Sequence, residues 1–444
     1  MTKSRLIMIS LMTLTIVVTS HLAFFYNSGK ATAPLLQDLS QIDPDQFAAL
    51  PSPAEGIAVF QQKVERNPQD AVSLTILGQL FFRQARQTGD ISSYQRAETA
   101  LRQAIRLLPN NTTARLALAS TLFAQHDFGE ALKLARALFQ EDARRTEALA
   151  IMADAYLAIG QYQAADQAYT DLSGRAATPP VWARLAYQAE LHGRPEEALR
   201  LLQQAAGPTL AEAQSKEDLA WYLIRLGDLY FNLGQPDEAG EHYQAALQLV
   251  DNYYLALAGL GKVRAAQARY AEAIDFYQQA VAIIPQPEVV AALGDVYLVT
   301  GQPDQAERQY ETVDFIGRLA EINQDVYNRQ LANFYSDRNR QLTQALTLAT
   351  AELEFRQDIH GYDATAWAFY KLGRYEEAQP LMEQAMKLGT RDAKLYYHAG
   401  LIAKAQGRWA DAERFLTEAL AINPHFDLLQ TRVAEAALKQ LRNR

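Results

Sequence analysis

The stretch LGDLYFNLGQPDEAGEHYQAALQLVDNYYLALAGLGKVRAAQARYAEAIDFYQQAVAIIP, residues 226–285, states one pattern twice. Leu226-Gly227, Ala239, Tyr243 and Ala246 return 34 positions later as Leu260-Gly261, Ala273, Tyr277 and Ala280, and Pro285 closes the second copy. A period of 34 with small residues at fixed places is that of a helix-turn-helix unit that cannot bury its apolar face alone and must stack on a neighbour. Glycine and alanine let helices approach, aromatic rings fill the space to the next hairpin, and glycine in the turn accepts a left-handed backbone. Proline ends the second helix because it has no N–H to donate.

Working outward, a small residue holds one place ten times: Ala97, Ala131, Ala165, Ala198, Ala239, Ala273, Ala306, Ala345, Ala378 and Ala412. The spacing predicts an all-α solenoid, a right-handed superhelix of about ten helical hairpins. Two steps are long. Gly207 to Asp218 supplies extra residues to one, and Phe315–Asn323 to the other. A third long connection, Gln87–Ser93, lies in the first hairpin. Such insertions form loops or longer helices.

The pattern resembles the tetratricopeptide repeat superfamily over about residues 54–441. Further matches are Gly294 with Tyr297, Ala306 and Tyr310, and Gly400 with Ala412, Leu416, Ala419 and Pro424. The stretches Asp363–Ala368, Leu388–Ala393, Tyr397–Gly400 and Asn423–Phe426 resemble a narrower group, exported bacterial proteins of this superfamily with no settled activity. The resemblance implies a scaffold that holds a protein or peptide on its concave face. Some relatives bind C-terminal carboxylates through paired Lys and Asn, but no unit here combines the two.

Residues 1–28 read as a signal peptide or membrane anchor. Lys3 and Arg5 precede Leu6–Tyr26, which carries no Lys, Arg, Asp or Glu. An uncleaved anchor, a cleaved signal and a buried helix all fit its length and composition. The first two put the body outside the cytoplasm, tethered or secreted. Residues 29–53 read as a linker, 54–67 as an N-terminal capping helix started by Ser52, 68–426 as the solenoid, and 427–444 as a C-terminal capping helix. Leu429, Val433, Ala437 and Leu441 would form the buried stripe of that last helix.

The net charge of −9 argues against nucleic acid as partner. The chain has no cysteine, which excludes disulfides and thiolate chemistry. No nucleophile elbow, phosphate loop, zinc-protease motif or dinucleotide fingerprint occurs, so no enzyme and no cofactor is expected.

One polar and aromatic cluster falls on the inward positions of the ninth repeat: His360, Asp363, Trp367 and Tyr370, spaced to share a helix face. Lys394, Tyr397 and His398 from the tenth repeat, and Arg329 and Asn333 from the eighth, extend it. Two readings stand: a partner-binding patch, or packing between hairpins. A sharper variant makes this region a site for a small solute or a metal ion through His360, Asp363 and His398. A smaller inward group is Trp221, Arg225, Asp228 and Phe231.

Overall fold

The computed structural model describes residues 53–207, 215–323 and 328–443. Ser52, the Leu6–Tyr26 segment and most of the linker lie outside the described residues. Twenty-two helices and no strand occur among the described residues. A first helix, α1 (Pro53–Arg66), is followed by ten hairpins: α2 (Ala71–Thr88) with α3 (Ile91–Leu107), α4 (Thr112–Ala124) with α5 (Phe128–Glu141), α6 (Thr146–Ala158) with α7 (Tyr162–Arg175), α8 (Pro179–Leu191) with α9 (Pro195–Ala205), and α10 (Lys216–Asn232) with α11 (Pro236–Leu249). The second five are α12 (Tyr254–Ala266) with α13 (Tyr270–Ile283), α14 (Pro287–Val299) with α15 (Pro303–Asn323), α16 (Asn328–Asp337) with α17 (Leu342–Phe355), α18 (Ile359–Lys371) with α19 (Tyr375–Ala385), and α20 (Ala393–Ala405) with α21 (Trp409–Ile422). Helix α22 (Gln430–Arg442) ends the series.

Local chemistry sets the helix boundaries. Asp70 accepts from the backbone N–H groups of Val72 and Ser73 at 3.1 and 3.0 Å, satisfying donors that the helix leaves unpaired. Proline occupies the first turn of α8, α9, α11 and α14, where its missing N–H costs nothing. The turns take a left-handed residue. It is glycine at Gly160 and Gly193, but His126, Ala268 and Asn339 adopt the same conformation in other repeats.

The ten alanines of the register are all buried to within about one per cent. Across three hairpins the first helix adds a polar rung. Asp154, Asp228 and Asp295 each accept the hydroxyl of a tyrosine 15 residues on, from Tyr169 at 2.9 Å, Tyr243 at 2.8 Å and Tyr310 at 2.7 Å. An arginine completes each rung: Arg184, Arg225 and Arg338. Burial pushes the Asp295 carboxyl up to about 6, against the pull of Arg338.

Two insertions extend helices instead of forming loops. The first hairpin lengthens to 18 and 17 residues and turns through Gly89-Asp90 alone. Helix α15 reaches 21 residues and leaves Phe315 about half exposed. In α22 the buried stripe is Ala434, Ala437, Leu438 and Leu441, while Val433 is 46% exposed. Asp427 sets that phase by accepting from the N–H groups of Leu429 and Gln430, each at 2.8 Å.

The solenoid winds back onto itself. Asn423 Nδ2 donates to the Phe231 carbonyl at 2.8 Å across 192 positions, and the Thr390 hydroxyl donates to the Leu191 carbonyl across 199. One core cluster joins Leu149, Tyr169 and Leu191 to Ile359, Met382 and Leu395. The second superhelical turn thus rests on the first.

Candidate functional site

The cluster expected at repeats eight to ten is assembled, but as core and not as surface. Trp367 and His398 are both 0% exposed. The indole stacks on the His398 ring at 4.0 Å and on Tyr370 at 4.8 Å, and the Lys371 ammonium sits 4.8 Å from it. Trp367 Nε1 donates to Asp337 at 2.8 Å and Lys394 Nζ donates to the same carboxylate at 2.9 Å. His398 Nδ1 lies 2.7 Å from Asp363, and the Tyr397 hydroxyl donates to Gln430 at 2.6 Å. Burial opposes the Asp337 charge, yet Lys394, His398 and Arg338 hold its pKa below the usual range. Burial likewise opposes the Lys394 ammonium, and Asp337, Asp427 and Asp363 together more than offset it.

Of the two readings, burial favours packing over a surface patch for Trp367, Asp363, Tyr397 and His398, which are all buried. The physical reason is that a first helix in this stack contacts the hairpins on both sides. In α18 every residue from Asp363 to Ala368 is buried. Five of the nine residues stay partly accessible: Arg329, Asn333, His360, Tyr370 and Lys394. Arg329 turns away to pair with Asp358 at 3.4 Å. Among the described residues no group of three or more His, Asp and Glu side chains could hold a metal ion, so the His360, Asp363 and His398 triad is not formed. The smaller inward group divides: Arg225 pairs with Asp228 at 3.1 Å and Glu190 at 3.4 Å, Phe231 is buried under the Lys262 ammonium at 4.1 Å, and Trp221 faces open space.

That open space is a cavity of about 620 Å³ inside the first superhelical turn. Its walls come from distant parts of the chain: Arg83, Arg86 and Gln87 on α2, Tyr94 on α3, Gln125 and His126 at the α4–α5 turn, Trp221 on α10, Tyr253 and Tyr254 at the start of α12, and Gln286 and Gln330 from one superhelical turn on. Burial raises the Tyr94 and Tyr253 hydroxyl pKa values, so both stay neutral donors. Arg83 makes no ion pair among the described residues, and Arg86 reaches Asp218 only at 4.0 Å. Gln87 Nε2 donates to Glu217 at 3.2 Å. Aromatic faces, amides and underused charges converge on this space. In the sequence, Trp221 and the two long connections Gln87–Ser93 and Gly207–Asp218 point to this region, but the walls meet through superhelical winding and not through the 34-residue period.

Models of the tetratricopeptide repeat match residues 89–145, 122–188, 218–286, 287–312 and 364–425. The human protein O-mannosyl-transferase TMTC1 is 27% identical over 229 residues, covering 48% of this chain and 24% of that protein. The Bos taurus BBSome complex member BBS4 is 25% identical over 232 residues, covering 51% of this chain and 43% of that one. The chain thus spans less than half the length of these relatives. Among solved structures, Pseudomonas aeruginosa pilF is similar over 46% of this chain and 90% of its own, with 17% identity and a TM-score of 0.39. The yeast Tom70 structure is similar over 84% and 96%, with 16% identity and a TM-score of 0.32. The chain belongs to the tetratricopeptide repeat superfamily, whose stacked hairpins serve as protein-interaction scaffolds.

Proposed function

We propose that the chain is a non-enzymatic scaffold that binds a protein or peptide partner on its inner face, with the cavity of the first superhelical turn as the principal contact. The observation that carries this reading is the convergence of Trp221, Tyr94, Tyr253 and Arg83 on about 620 Å³ of open space. Aromatic side chains and arginine are the residue types that anchor interfaces. The repeats eight to ten cluster is filled by its own side chains, so it offers only a rim of His360, Tyr370, Asn333 and Lys394, and no room for a solute.

A photo-crosslinking amino acid placed at Trp221 in cells should trap a partner polypeptide, while the same group at Thr343, on the exposed face of α17, should trap none. Equal capture from both positions would overturn the assignment of the face.

The same reading makes the scaffold extracytoplasmic, tethered through Leu6–Tyr26 or released after cleavage. It rests on the Lys3 and Arg5 flank of that apolar segment. No helix among the described residues is long and apolar enough to cross a membrane. Alkaline carbonate extraction of membranes should leave the full-length chain in the pellet. Complete release with an intact N-terminus would contradict the anchor.

A further inference from the structure

The turns of the first superhelical turn differ from those of the second in what lies above them. Gly160 and Gly193 have φ values of 72° and 68°, and a Cβ added to them would meet the carbonyl oxygens of Gln357 and Gly389 at 2.4 and 2.3 Å. At Gly234 the added atom would meet the Ile422 carbonyl at 3.0 Å, and at Gly89 the Ile284 side chain at 2.7 Å. Gly301 and Gly373 have the same backbone, with φ of 75° and 74°, and nothing within 4 Å. The first set is seated on the connectors one superhelical turn further on, and at the second set an added Cβ would meet open space.

Side chains stitch the same line. Thr390 and Asn423 donate to carbonyls of Leu191 and Phe231, the His126 ring stacks 6.5 Å from Phe355, and the Arg356 guanidinium lies 5.5 Å from the Phe128 ring. Close backbone approaches, side-chain hydrogen bonds, ring contacts and the apolar cluster of Leu149 and Leu191 with Ile359 and Leu395 together form the seam. At Gly89, Gly160, Gly193 and Gly234 the approach leaves no room for a larger residue, while His126 fills its own turn with a ring that stacks on the facing layer.

The seam also bounds the cavity. Gly89, Gln125 and His126 line it from the first superhelical turn, and Gln286 and Gln330 from the second. We infer that the seam is a gate: the two superhelical turns are latched by their turn-to-connector contacts, and parting them opens the side of the cavity to a polypeptide segment. Separating the layers beside the cavity would remove Gln286 and Gln330 from the wall while leaving each hairpin held by its own register alanine, with the shared core at Leu149, Leu191, Ile359 and Leu395 as the resistance to opening. The purpose of the gate rests on the proposed partner site, but its existence is testable without any partner.

The chain has no cysteine, so Arg83→Cys places one thiol in the cavity wall without breaking an ion pair. The probes are a small methanethiosulfonate and a bulky polyethylene-glycol maleimide. When reaction requires opening, its rate follows the population of the open form. In the Gly160→Ala and Gly193→Ala backgrounds the bulky reagent should react about tenfold faster or more, the response to roughly 1.4 kcal/mol of lost latch energy. In Gly301→Ala and Gly373→Ala, which strain the same backbone with no seam contact, the rate should stay unchanged. If circular dichroism shows a seam variant to be unfolded, Thr390→Val decides, since it deletes one seam hydrogen bond at nearly constant shape. Faster reaction there supports the gate. Equal rates in seam and control variants overturn it, and they would do so without bearing on whether Trp221 contacts a partner.

Discussion

At the scale of single residues, Trp367 and His126 show how burial sets a role. Trp367 fills the gap between three repeats, and truncating a buried indole typically costs about 3–5 kcal/mol. Trp367→Ala should therefore lower the denaturation midpoint and strip hydrogen-exchange protection from α16, α18 and α20, whether or not a partner is present. Trp367→Phe should lose less, keeping most of the stack but leaving Asp337 without the indole donor. His126 sits at the seam with its pKa pushed down to about 4 by burial, and further by Arg356 and Arg329. The unfolded imidazole titrates near 6.5, so folding favours the neutral ring. Its contribution is complete above pH 6.5 and is lost as pH falls toward 4. The melting temperature of the wild-type chain should accordingly fall more steeply over that interval than that of His126→Asn, which keeps a residue tolerant of the left-handed backbone. Parallel slopes would contradict the assignment.

At the scale of the element, the 34-residue alanine register is legible because each hairpin solves the same local problem. Helix starts at Pro179, Pro195, Pro236 and Pro287 and the turns at Gly160 and Gly193 follow from residue types alone. What the linear pattern hides is which face of a first helix meets solvent. A period near 3.6 marks an apolar or aromatic stripe, but α18 has neighbours on two sides, and Trp367 belongs to one of them. The phase of α22 was hidden for a similar reason: Asp427 fixes where the helix begins, and that places Val433 outward. Glycines inside helices divide the same way. Gly259 faces the Tyr243 ring, with an added Cβ at 2.5 Å, and that ring is pinned by its bond to Asp228. Gly174 has nothing within 4 Å. Gly174→Ala should raise stability by about 0.5–1 kcal/mol, the propensity difference between the two residues. Gly259→Ala should lower it despite the same propensity gain. A urea titration of both variants separates the two effects.

At the scale of the whole molecule, the decisive feature is that the repeat is not the end of the organisation. A simple array of hairpins would have contacts only between neighbours. Here Leu149 and Leu191 share a core with Ile359 and Leu395, so the first and second superhelical turns form one packed body around an internal space. That winding creates the cavity from residues as far apart as Arg83 and Gln330, and it gives the seam glycines their constraint. No periodicity in the sequence carries it, because it depends on the small rotation between successive hairpins. The most direct test places a benzophenone amino acid at Gln357, which is exposed, and whose Cβ lies 3.4 Å from where a Cβ of Gly160 would stand. Irradiation of the purified monomer, followed by peptide mapping, should join position 357 to the α6–α7 turn around Gly160 within one chain. Crosslinks confined to the neighbouring segments of α17 and α18 would contradict the closed coil and the internal site built on it.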